Sequence, residues 1–170
     1  MGASSWPSAT EILDAKTKVS EMSGREVEDL KVVVSPYRIC PLGAHIDHQG
    51  GVVSAMTINK GIILAFVSSF DTQIVLRSGQ FSGEVKFRVD EEQYPRKSKI
   101  VPESNLSNSS EDSNWGCYAR GALYALKKGN QIKKGIIGFI SGSEGLDSSG
   151  LSSSAAVELP IYWLWKVPIT

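Results

Sequence analysis

A chain of 170 residues, 41% hydrophobic and 21% charged, has the composition of one globular domain with room for a sizeable core. Its 18 lysines and arginines cancel 18 aspartates and glutamates, so it lacks the basic footprint expected of a nucleic-acid or membrane-surface protein. Cys40 and Cys117 have no second ligand at metal spacing and read as reduced thiols. MGASSWPSAT at the N-terminus has neither a signal-peptide core nor an arginine-rich presequence, and the expected location is the cytoplasm.

Ser8 is placed to cap a helix with Ile12, Leu13, Ala15 and Val19 on helical spacing, and Gly24 supplies a stop. Residues 1–29 therefore read as an N-terminal helical segment. Leu30 to Cys40, LKVVVSPYRIC, is β-branched and apolar. Pro36 within it predicts an edge strand or a bulge, because proline cannot donate to a ladder. After Gly50-Gly51 come two strand-like runs, VVSAMTI and GIILAFVSS, and the intervening Asn59, Lys60 and Gly61 predict a hairpin turn. Further strands are expected at Thr72–Arg77 and Glu84–Val89, the second with Val85, Phe87 and Val89 alternating against charged neighbours. This half reads as a mostly antiparallel sheet with one wet face.

Pro95 to Asn114, rich in Ser, Asn, Lys and Pro, is expected to be loop. Ser113 can cap a helix from Asn114 to Lys128, with Trp115, Tyr118, Ala122 and Ala125 or Leu126 on one face and Gly129 closing it. Ile136 to Ile140 reads as a short buried strand, followed by SGSEGLDSSGLSSSAA. A strand leading through Gly and Ser into small helix-forming residues leaves backbone N–H groups able to hold phosphate oxygens. The same composition also suits a flexible linker.

Within that stretch GLSSSAA, Gly150 to Ala156, resembles the phosphate loop of the GHMP family of small-molecule kinases, with Leu146 where a proline is usual. RICPLGAHIDHQGG, Arg38 to Gly51, resembles the galactokinase signature, typically RVNLIGEHTDYNGG, and WGCYARGAL at Trp115 to Leu123 resembles a galactokinase helix. Three matches in the family's order outweigh any one of them. The resemblance implies an α+β fold, a mixed sheet with packed helices, spanning residues 30–157 as an incomplete GHMP kinase N-terminal domain. ATP and sugar would meet in a cleft against a second, C-terminal domain that is absent from this sequence.

Phosphoryl transfer depends mostly on positioning and charge neutralisation. The resemblance implies that Gly150, Leu151, Ser152, Ser153, Ser154 and Ala155 cradle the triphosphate, with the Ser154 hydroxyl helping to hold Mg2+. Arg38 matches the arginine beside the sugar's anomeric hydroxyl, where a fixed cation would stabilise the transition state; its bland reading is a surface ion pair. Asp47 matches a carboxylate that accepts from sugar hydroxyls, and His45 and Gly51 fall in the same sugar-binding signature; a solvated turn is the alternative for Asp47. His45, Asp47 and His48 together are too few to favour a metal centre.

Ala44 departs from the pattern. Galactokinases carry glutamate there, and the resemblance implies that it bonds the C6 hydroxyl of galactose. A C6 carboxylate opposite glutamate would bring two like charges together in a desolvated pocket. Alanine removes that repulsion, so the substrate implied is a hexuronic acid, D-galacturonate, phosphorylated by ATP at its anomeric hydroxyl to feed UDP-sugar synthesis. Galactose with a weaker C6 contact is the alternative. No catalytic aspartate or third glycine-rich motif follows, and Pro160 interrupts the helix expected beyond Ala156. Residues 158–170 read as an atypical tail of a truncated chain, which by itself is expected to be inactive or to serve only as a binding fragment.

Overall fold

The computed structural model describes residues 6–43, 46–92 and 115–143, apart from the Asp47 side chain. Helix α1 (Ala9–Ser23) begins with a closed capping box. Glu11 N–H donates to Ser8 Oγ at 3.2 Å, and Ser8 N–H donates to Glu11 Oε2 at 2.7 Å, so two of the helix's orphan donors are satisfied. The bond from the Ser8 backbone, then that from its hydroxyl, holds the Glu11 carboxyl below its usual range. The helix ends at Gly24 (φ 67°), whose N–H donates to Ser20 O. Ala15 and Val19, four residues apart, are buried, whereas Leu13 is 55% exposed. Leu13 lies about 200° around the helix from Ala15, and so falls outside the apolar stripe.

Five strands follow: β1 (Lys31–Leu42), β2 (Ser54–Ser68), β3 (Gln73–Ser78), β4 (Glu84–Arg88) and β5 (Ile136–Gly142), with helix α2 (Gly116–Lys127) between β4 and β5. They form one sheet in the order β1-β2-β5-β3-β4. β3 and β5 run parallel, and the other pairings are antiparallel. Along β2, Ile62, Leu64 and Phe66 join a core with Trp115, Ala119, Ala122 and Leu123. Ile63 and Ala65 pack with Ala15 and Val19 of α1. The period of two thus gives β2 a helix against each face. Only the β3–β4 half keeps the expected wet face, with Val85 and Phe87 buried and Lys86 and Arg88 exposed.

The expected hairpin at Asn59–Gly61 is not formed; β2 runs continuously for 15 residues. Pro36 pairs with Gly61 and Arg38 with Thr57, so Ile58, Asn59 and Lys60 stand opposite Tyr37 alone. The turn-forming residues make a bulge instead of a reversal. Tertiary partners decide this. A Cβ at Gly61 would overlap Ser35 O and lie 2.6 Å from Pro36 Cα and from the Trp6 ring, while Asn59 Oδ1 accepts from Trp6 N–H at 3.0 Å. As Pro36 suggested, β1 is an edge strand with an irregular register at that residue. In α2, Leu126 is buried and Ala125 exposed, which settles the alternative left open for that face. The 95–114 loop and the Ser113 cap lie outside the described residues, except that Trp115 takes the N-cap position without a side-chain bond.

Candidate sugar- and phosphate-binding end

The sheet narrows to a two-stranded ribbon at one end. β5 pairs with β2 only from Ile62 to Ser68, whereas β1 continues against β2 through Arg38↔Thr57, Ile39↔Met56 and Leu42↔Ser54. A second register shift lies between Ile39 and Leu42, and its extra residue is on β1. Two offset bulges bend and twist a ribbon that no third strand accompanies among the described residues. Arg38 sits on it with an exposed side chain.

From the ribbon the chain enters the loop joining β1 to β2. Gly43 takes φ 75°, Asp47–Gln49 form a 3-10 turn, and the loop closes around Ile46. Ile46 N–H donates to Gly43 O, and Gly51 N–H donates to Ile46 O at 3.0 Å. A Cβ at Gly51 would fall 2.6 Å from Ile46 Cδ1. A side chain there would require the exposed Ile46 side chain to move aside, so Gly51 leaves it room at the turn. The backbone of Asp47 is therefore held in a defined turn. Ala44 and His45 lie outside the described residues, as do Gly150, Leu151, Ser152, Ser153, Ser154 and Ala155.

The strand that leads to the phosphate-loop motif runs to the same end of the sheet. Ser35 pairs with Ile62, and Ile62 with Gly142, so β5 ends level with Ser35, roughly 10 Å from it across β2, and β1 continues past that rung through Arg38 to Leu42. Both strands point the same way. Ser143, only 4% exposed, fixes the exit of β5: its N–H donates to Gly61 O at 2.9 Å, and its hydroxyl accepts from Gly61 N–H at 3.0 Å. The hydroxyl thus takes the position of a strand carbonyl in the last rung of the ladder. Neither Ser143 nor Gly61 stands out in the sequence. Ser143 is one serine among many in SGSEGLDSSGLSSS, and Gly61 carries the signature of a turn.

No protein-family model matches the chain. Among curated proteins it is 63% identical to the galacturonokinase of Arabidopsis thaliana over 155 residues, covering 90% of this chain and 37% of that protein. It is 32% identical to the galactokinase of Ligilactobacillus salivarius over 147 residues, covering 85% and 33% respectively. Among solved structures, the Lactococcus lactis galactokinase complexed with galactose superposes with a TM-score of 0.70 at 29% identity, over 89% of this chain and 36% of that one. The Methanococcus jannaschii mevalonate kinase superposes at 0.57 with 16% identity, over 81% of this chain and 40% of that one, a resemblance of fold alone. The chain spans about a third of the length of the curated relatives it matches.

Proposed function

From a chain that belongs to the galactokinase-like branch of the GHMP kinases, we propose the N-terminal part of a sugar-1-kinase that phosphorylates D-galacturonate at its anomeric hydroxyl. The observation that carries the proposal is the register across β2, which delivers the Arg38–Gly51 segment and the chain leading to Gly150–Ala155 to one end of the sheet. A kinase must bring acceptor and phosphoryl donor within reacting distance, and this arrangement supports that use. In this reading Gly150 to Ala155 hold the phosphates of ATP, which supplies the phosphoryl group, and Ser154 helps hold Mg2+. The guanidinium of Arg38, rigidly borne by a bulged ribbon, neutralises charge developing on the acceptor oxygen. Asp47 and His45 bond sugar hydroxyls, and Ala44 leaves room for the C6 carboxylate.

The test is a hybrid kinase in which this chain replaces the matching segment of the Arabidopsis galacturonokinase, assayed with galacturonate, glucuronate and galactose. Galacturonate should give the highest kcat/KM. In the same hybrid Arg38→Ala should lower kcat by about 100-fold or more while KM changes less, as for a group that acts mainly in the transition state. A hybrid that prefers galactose would replace the proposed substrate, and a loss confined to KM would make Arg38 a binding residue only.

A further inference from the structure

The segment ahead of α1 reaches the ribbon that carries Arg38. Trp6 N–H donates to Asn59 Oδ1 at 3.0 Å, across 53 residues of sequence. The Trp6 ring lies so close over Gly61 that a Cβ there would come within 2.6 Å of its Cη2. The ring also packs beside the cluster of Ala15, Val19, Leu30, Ile63 and Ala65 on the α1 face of the sheet. Two residues further on, Ser8 enters the capping box of α1, which anchors the clamp to that helix.

The clamp acts where the register has a choice. Between Pro36↔Gly61 and Arg38↔Thr57, three residues of β2 stand opposite one of β1, two more than a regular ladder needs. An excess of this kind can move along an antiparallel pair, and a slip of one residue exchanges the faces of one strand relative to the other. Arg38 is the first paired residue of β1 beyond the excess, and such a slip would put it opposite Ile58 in place of Thr57. Ile58 packs against the core on the α2 face, while Trp6 holds Asn59 and Gly61 from the α1 face. The bulge is thus pinned from both sides. Gly61 is also the partner of Ser143 at the end of β5, so the same contact bears on both segments that arrive at this end of the sheet.

We propose that Trp6 is a positioning residue for phosphoryl transfer: it fixes the bulge in β2, and with it the register that places Arg38. The proposal rests on the reading of Arg38 as the cation beside the acceptor oxygen. Trp6 acts through the ribbon, so its loss is felt in kcat; a displacement of about 1 Å at a reacting centre can cost about 100-fold.

The two contacts can be removed separately in the hybrid kinase. Trp6→Ala deletes the ring and keeps the N–H, whereas Asn59→Ala deletes the acceptor and keeps the ring. Each should lower kcat about tenfold while both KM values stay within about twofold. Asn59→Asp retains an oxygen at the accepting position and should restore kcat to within about twofold of the parent. Both alanine variants are then repeated in the Arg38→Ala background, where nothing remains to be positioned and neither should lower kcat by more than about twofold. Equal losses in the two backgrounds would mean a general loss of active enzyme and would overturn the proposal, as would full activity of the single variants. If Trp6→Ala does not fold, the exposed Asn59 decides alone.

Amide hydrogen exchange in the 170-residue chain separates this proposal from the reading on which it rests. Asn59→Ala should speed exchange about fivefold at residues 38–39 and 56–57 and leave 62–68 unchanged. Unchanged exchange in the ribbon overturns the clamp whatever Arg38 does. Faster exchange together with undiminished kcat in Arg38→Ala overturns the reading of Arg38, and the positioning role with it, while leaving the clamp in place.

Discussion

Ser143→Ala tests how the exit of β5 is held. The Ser143 hydroxyl is the acceptor for the Gly61 N–H, and both residues are buried. Its removal leaves that N–H without a partner in a place water does not reach, which costs about 1–3 kcal/mol. Gly61 O loses less, since the Ser143 N–H still donates to it at 2.9 Å. For a chain of this size each kcal/mol lowers the melting temperature by roughly 2–4 °C, so a drop of about 2–12 °C is expected. Urea unfolding should show a lower midpoint with an unchanged slope. Ser54→Ala, at an exposed position on the same end of β2, serves as the control and should lie within about 0.5 kcal/mol of the parent. If Ser143→Ala is as stable as that control, the hydroxyl does not close the ladder and the β5 exit is held by other contacts.

Further expectations concern the cap, a surface ion pair and substrate choice. Ser8→Ala should cost about 1 kcal/mol at neutral pH by opening the capping box. Because the Glu11 carboxyl is lowered in the folded state, its contribution is present above its usual pKa and is lost as pH falls through the lowered value. The variant keeps the backbone N–H bond to Glu11, and the Ser8 Oγ acceptor does not titrate, so the gap between parent and variant should narrow but persist in acid melts; a gap that closes completely would overturn the role of that acceptor. Asp90, held down to about 2 by the Arg88 guanidinium, should titrate there by carboxyl carbon NMR and return towards about 3.9 in Arg88→Ala; an unmoved midpoint would remove Arg88 as the cause. In the hybrid kinase Ala44→Glu should depress kcat/KM for galacturonate more than for galactose, and an unchanged ratio would dismiss the charge argument.

Helix α1 was legible because its signals are local: Ser8, a stripe at helical spacing and Gly24. The alternation of β4 was legible for the same reason. Asn59-Lys60-Gly61 misled because a bulge and a turn use the same residues, and what separates them is the presence of β1 and β5 on either side of β2. The parallel β3–β5 pairing spans a long crossover that no short window records. At the candidate site, Arg38 and the glycine-rich turn could be read as a motif, but their place beyond the end of the sheet follows from register and could not. The role of Ser143 is set by a partner 82 residues away, which leaves no pattern in neighbouring positions.

Pro36 has a consequence for how the molecule meets its own copies. β1 is an outer strand of 12 residues, and an uninterrupted outer strand of that length is a template on which another chain can add by backbone hydrogen bonding. The proline lacks an N–H, and the register breaks at Pro36/Arg38 and Ile39/Leu42 divide the edge into segments too short and too twisted for an incoming strand to follow. The other outer strand, β4, has five residues and carries Lys86 and Arg88 on its exposed side, which discourages stacking by charge. The irregularity beside Arg38 thereby also protects the sheet from edge-to-edge aggregation.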